Sequence, residues 1–152
     1  TFPEDHEIEA AKTQAIFYGH FFKWEPEKHT ELVKKIGWKA LSKPQRGSWS
    51  KTENIDMKFI DVREKIKYLK YGYGRATDQL NIAIKSKLIS RKEALKIVKK
   101  LDGKVDERNE KKFCKYLKIS KTKYDEVINS FVNHDLFLKS NKGNWIPKFK
   151  RS

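Results

Sequence analysis

FIDVREKIKYLKYGYGRATDQ, residues 59–79, decides the fold. Phe59, Val62, Ile66 and Leu69 recur at spacings of three and four, the period of one apolar stripe on a helix. Gly72 is placed to stop that helix, and Gly74 follows across a single tyrosine. Glycine tolerates backbone angles that other residues avoid, so the pair predicts a sharp reversal with an unusual φ at both glycines and Tyr73 turned outward. Thr77 or Asp78 is expected to cap the next helix, whose period continues through Ala76, Leu80, Ala83 and Ile84. The first turn of a helix is a natural seat for an anion, and Arg75 beside it has the planar fork that grips phosphate or carboxylate. The competing reading is a plain corner in which Asp78 caps and Arg75 pairs with it.

Outward from this stretch the pattern stays helical. SRKEALKIVKKLDG carries a capping box in Ser90 and Glu93, an apolar face of Ala94, Val98 and Leu101, and a stop at Gly103. EKKFCKYLKIS and SKTKYDEVINSFV read as a helix pair, with Ser120 a cap and Tyr124, Val127, Ile128 and Phe131 the buried side. Upstream, Pro3, Glu4 and Asp5 open a short helix that runs on through EDHEIEAAKTQ. Pro26 opens another, PEKHTELVKKIG, with Leu32, Val33 and Ile36 as its stripe and Gly37 as its stop. Between them AIFYGHFFKW, from Ala15 to Trp24, is a dense aromatic run that reads as a strand. WKALSKPQRGSWSKTENID is a long loop, of the kind often functional in compact domains. The fold class expected is mainly α, a helical domain with at most one or two short strands. Residues 141–152, SNKGNWIPKFKRS from its second residue on, form a basic tail with Trp145 and Ile146 docking.

Composition limits what such a fold can do. The 152 residues suffice for one domain, or one domain and a piece of another. With 38% hydrophobic residues and 12% aromatic, the chain is too apolar for disorder. No apolar run reaches the length that spans a bilayer, and the start TFPEDHEIEA lacks the layout of a signal peptide, so no membrane partner and a cytoplasmic location are expected. The first residue is Thr, which predicts a piece of a longer protein. One cysteine, Cys114, excludes an internal disulfide and sits at a buried helical position. The net charge of +15 points toward nucleic acid or another anionic partner. Yet only Arg46, Arg63, Arg75, Arg91, Arg108 and Arg151 are arginines, and phosphate recognition favours arginine. Lysines such as Lys96, Lys99, Lys100, Lys111, Lys112 and Lys115 fall on outer helix faces. A solvated surface is the better reading, and a nucleic-acid-binding module is the alternative.

Self-contained catalytic machinery is missing. His6, His20, His29 and His134 have no ligand spacing, so no metal site is expected, and no nucleophile elbow or Walker-type GK[ST] occurs. GYGRAT has Thr77 where a dinucleotide fingerprint needs its third glycine, and a helix rather than a strand precedes it. Catalytic residues cannot be named.

FYGHFFKWEPEKHTELVKKIGWK, ENIDMKF, KYGYGRATDQ and SRKEALKIVKKLDG, in this order, resemble the C-terminal part of the bacterial N-acetyl sugar amidotransferases of surface polysaccharide and flagellin sugar synthesis. The resemblance covers roughly residues 15 to 135. It implies an N-terminal PP-loop ATP pyrophosphatase domain with an SGGxDS phosphate loop, a stretch this sequence does not contain. In the family, ATP adenylylates the oxygen of a sugar's acetamido group, pyrophosphate leaves, and ammonia from a glutaminase partner displaces AMP to give an acetamidino group. ATP and Mg²⁺ are thus implied for the parent enzyme and no cofactor for this chain alone, which should be inactive by itself. The implied partners are a sugar-nucleotide and the ammonia-supplying subunit.

In that frame residues 1–24 are the end of a truncated α/β nucleotide domain and residues 25–140 a helical C-terminal domain. The resemblance points to Lys23 and Trp24 at the strand end, Glu53, Asn54 and Asp56 in the loop, and Lys70, Tyr73, Arg75, Thr77 and Asp78 at the glycine corner as substrate-binding residues. Lys70 and Arg75 would meet phosphate or carboxylate oxygens. Tyr73 and Trp24 would stack on sugar or base, while Glu53 and Asn54 would hold hydroxyls or metal. The competing reading makes Trp24, Trp38 and Trp49 core residues. The sequence departs from the family pattern in having Gln79 where a histidine is usual, Lys87 where a glycine is usual and Ala83 where an acid is usual. A catalytic histidine is therefore not implied here.

Overall fold

The computed structural model describes residues 3–150 and divides into two compact units, one ending at Lys39 and one starting at Ala40. Among the described residues are eight helices and one two-stranded sheet, so the molecule is mainly helical as expected.

The first unit holds α1 (Asp5–Ala10), α2 (Tyr18–Phe21) and α3 (Pro26–Lys35). Glu4 and Glu7 close a capping box on α1, which stops at Ala10, short of the expected length. Pro26 sits in the first turn of α3, and Gly37 follows with φ +94°, as the sequence predicts. The strand expected over residues 15–24 is not there. A strand must hand its N–H and C=O groups to a neighbour, and no strand lies among the described residues of this unit. The backbone satisfies itself locally instead, with Phe22 N–H donating to the Tyr18 carbonyl at 3.1 Å. Tyr18 and Phe22 stack at 4.4 Å between centroids, and both rings are exposed, as are Phe17 and Phe21.

The second unit begins with an irregular segment, residues 40–59, and continues through α4 (Ile60–Tyr71), α5 (Arg75–Lys85), α6 (Arg91–Leu101), α7 (Glu107–Leu117) and α8 (Lys121–Ser130) to β1 (Phe137–Lys139) and β2 (Trp145–Pro147). The strands pair antiparallel with Leu138 opposite Ile146. This hairpin lies partly in the stretch expected to be a basic tail. Trp145 is partly buried there and its indole N–H donates to Asn129 Oδ1 at 2.9 Å, whereas Ile146 stays exposed.

Two apolar clusters hold the unit together. Val62 and Leu69 of α4 meet Cys114 of α7, Tyr124 and Ile128 of α8, and Val132 and Phe137 beyond it. Ala76 and Leu80 of α5 meet Ala94 and Val98 of α6. Ser90 and Glu93 form the expected capping box, and Ser120 accepts Lys123 N–H at 3.0 Å as the cap of α8. Val127 and Phe131, expected inside, are both 41% exposed. The seam of α8 runs along Tyr124 and Ile128, four residues apart, and the residues three further on fall at its edge.

The corner between α4 and α5 reverses the chain as predicted, but with a different division of labour. Gly72 has φ +82°, the left-handed stop. Gly74 has φ −120°, which any residue adopts, so its role is space: a Cβ there would stand 2.9 Å from Asp102 Oδ1. Lys87, where the family pattern has glycine, takes φ +59°.

Candidate functional site

The N-terminus of α5 is capped from outside the helix. The cap position is Gly74, so neither Thr77 nor Asp78 plays the expected capping role; both lie inside the first turns. The exposed N–H groups of a first turn attract negative charge, and Asp102, just past α6, supplies it. Its Oδ1 accepts Thr77 N–H at 3.3 Å and its Oδ2 accepts the Thr77 hydroxyl at 2.6 Å. The anion seat read from the sequence thus holds one of the protein's own carboxylates. Gly74 is small so that this carboxylate can come close.

Arg75 turns toward the irregular segment. One guanidinium nitrogen donates to Glu53 Oε2, and another lies 3.9 Å from Asp78 Oδ2. Lys67 of α4 donates to the same Asp78 oxygen, lies 3.7 Å from Glu64 Oε2 and sits 4.6 Å above the centre of the Tyr73 ring. Two cations therefore face three carboxylates. The Arg75, Lys67, Glu53 and Asp78 side chains are each about a quarter exposed, so the group lies at the surface with both cations paired and one carboxylate charge in excess.

Gln79 ties this cluster to the loop. Its Oε1 accepts the backbone N–H of Trp49 at 2.7 Å and of Ser50 at 3.1 Å, and its Nε2 donates to Glu53 Oε2 at 3.1 Å and Ser48 Oγ at 2.9 Å. Gln79 is only 3% exposed. An amide is suited to this place because it offers acceptor and donor on one rigid plane. Gln79 and Asp102 were not among the expected site residues, although the departure from histidine at position 79 was the available signal.

Of the expected residues, Glu53, Arg75 and Asp78 are brought into one cluster and Tyr73 borders it. Asn54, with φ +52°, accepts Gln45 Nε2 through its carbonyl at 3.4 Å and lines the same recess as Glu53 and Arg75. Asp56 is exposed, and Lys70 is exposed with its ammonium 5.2 Å from the centre of the Tyr71 ring. Lys23 and Trp24 belong to the first unit, where they line a cleft with Tyr18, Phe22 and His29. Trp24 is 68% exposed and Trp49 36%, so neither is a core residue.

On the other face of the corner, Tyr73 and Thr77 line a cleft of about 310 Å³ between α5 and α6, with Asn81 and Arg91 on its wall. A second cleft, of about 480 Å³, is lined by Tyr68, Lys99, Asp102 and Phe149. Val98 and Lys150 border both. Both volumes fall in the range of small-molecule sites, and the shared rim carries lysine.

Residues 49–150, more than half of the chain, match the family described as LPS biosynthesis protein WbpG-like, C-terminal domain. The chain belongs to that family. It is thereby a lipopolysaccharide biosynthesis protein, and the WbpG-like domain spans the corner, the Gln79 staple and both clefts. Lys23 and Trp24 fall outside the WbpG-like match. No curated protein matches the chain. Among its described residues no helix is long and apolar enough to cross a membrane.

Proposed function

We propose that this chain is the C-terminal part of an ATP-dependent N-acetyl sugar amidotransferase and that its second unit holds the sugar-nucleotide. The observation that carries this reading is the pair of adjoining clefts beside the glycine corner, inside the family-matched segment. Tyr73 offers a ring face to a sugar or base, Asn81 offers hydrogen-bonding groups, and Arg91, Lys99 and Lys150 offer positive charge to a diphosphate.

The reaction converts an acetamido group to an acetamidino group. An amide oxygen is a poor leaving group until it carries phosphate, and ATP supplies that activation in the full enzyme. This chain's residues do not fit ATP and Mg²⁺. No glycine-rich phosphate loop follows a strand, and among the described residues no group of three or more His, Cys, Asp or Glu stands together to share a metal. Adenylylation is accordingly assigned to the rest of the enzyme, and ammonia delivery to a partner subunit. The part of this chain is to bind and orient the sugar-nucleotide.

The test is a titration of the purified chain with UDP- and CMP-linked N-acetyl sugars, and with single-stranded and duplex DNA, at 50 and 200 mM salt. Saturable sugar-nucleotide binding, weakened by Tyr73→Ala and little affected by salt, is the expected result. DNA binding that falls by roughly three decades between those salt levels, with no sugar-nucleotide binding, would replace this reading with a nucleic-acid-binding one.

A further inference from the structure

Among the described residues of the second unit, three polar atoms are buried without a hydrogen-bond partner: Gln45 Oε1, Glu64 Oε2 and Arg75 Nε. They come from the irregular segment, from α4 and from α5, far apart in sequence, yet their side chains line one recess together with Glu53, Asn54 and Asp61. Glu64 is only 6% exposed, and its nearest cation, Lys67, stands 3.7 Å from that oxygen, too far for a hydrogen bond. Left bare, such groups would each cost free energy comparable to a lost hydrogen bond.

Their chemistry is complementary to one guest. Gln45 Oε1 and Glu64 Oε2 are acceptors and Arg75 Nε–H is a donor, so the guest must give two hydrogen bonds and take one. The orientation of the Gln45 amide follows from its other end, where Nε2 donates to the Asn54 carbonyl. Flipping it would set two carbonyl oxygens against each other. The recess measures about 10 Å³, on the scale of one water molecule. A metal ion or ammonium suits it poorly, because neither can accept from Arg75 Nε–H.

We propose that this recess binds a single structural water that donates to Gln45 Oε1 and Glu64 Oε2 and accepts from Arg75 Nε–H. The water joins the irregular segment to α4 and α5 from beneath, as Gln79 joins it from the side, and holds Arg75 turned toward Glu53. This goes beyond the sugar-nucleotide reading and does not depend on it.

A crystal structure of the chain should show one ordered peak within hydrogen-bond distance of all three atoms. In solution, the Arg75 Nε–H resonance should give a nuclear Overhauser effect to water with the sign of a long-lived complex. Gln45→Met, which keeps the length of the side chain but removes its acceptor, should weaken that signal and lower the melting midpoint by about 2–6 °C. The proposal is overturned if the three side chains satisfy one another directly with no peak between them. It is equally overturned if the peak gives an anomalous signal after potassium is exchanged for rubidium. No sugar-nucleotide enters these measurements, so their failure leaves the proposed function standing.

Discussion

The side-chain oxygen of Gln79 accepts the backbone N–H of Trp49 at 2.7 Å, joining α5 to a loop 30 residues earlier. The same oxygen serves Ser50 N–H at 3.1 Å, and the Gln79 side chain that accepts both is buried. Replacing Gln79 by Leu strands two donors and releases Glu53 from Nε2. The expected cost is about 2–4 kcal/mol, read as a lower denaturation midpoint at unchanged slope. Hydrogen exchange at Trp49 and Ser50 should accelerate more than exchange in α8. Uniform acceleration across the unit would show that Gln79 is not the local anchor of the loop.

The cap on α5 makes a prediction about coupling. Gly74→Ala places a methyl group 2.9 Å from Asp102 Oδ1 and should cost about 1–3 kcal/mol. Asp102→Ala removes the acceptor of Thr77 N–H and its hydroxyl and should cost about 2–3 kcal/mol. In the double variant the methyl group meets no carboxylate, so the two losses should fall short of additive. Strict additivity would mean that Gly74 is required for some reason other than Asp102.

Tyr124 is buried at 2% exposure, and its hydroxyl donates to Glu110 Oε1 at 2.8 Å. Burial first, then the hydrogen bond and the charge of Glu110, holds its phenol far above the ordinary 10.0. A raised folded value contributes stability that is complete below the unfolded value and is lost as pH climbs past it. The chain should therefore lose stability above pH 10, and Tyr124→Phe should make that alkaline loss shallower. At neutral pH the same variant should cost about 1–2 kcal/mol, since Glu110 keeps Lys65 at 2.5 Å.

Asp106 caps α7 by accepting Arg108 N–H at 2.9 Å, and the Arg108 guanidinium returns to it at 2.8 Å. These hydrogen bonds lower its carboxyl to about 2 from an ordinary 3.8. A depressed folded value stabilises above the unfolded value, and the contribution disappears as pH falls from 3.8 toward 2. Carbon-detected titration of the carboxyl should give a midpoint near 2, rising in Arg108→Ala. A midpoint already at the ordinary value in the parent chain would remove Arg108 from the cap.

Local signals in the sequence were reliable wherever the chain satisfies itself over three or four residues. Ser90 with Glu93, Ser120 ahead of α8, and Gly72 and Gly37 as stops are such cases. The aromatic run from Ala15 to Trp24 misled because strand formation depends on a neighbour, which apolar content does not supply. The site was legible only in outline. Arg75, Glu53 and Asp78 do converge, but their charges are spent largely on one another.

By itself the sequence determined the helical class, the reversal at residues 72–74 and the family, because periodicity, caps and motif order are written along the chain. Tertiary structure decided what the reversal is for. It brought Asp102 to the start of α5 and Gln79 to the backbone of residues 49 and 50, contacts between positions 25 and 30 residues apart. A carboxylate in solution and one carried on a neighbouring helix satisfy the same N–H groups, so only packing reveals which of the two the corner was built to receive.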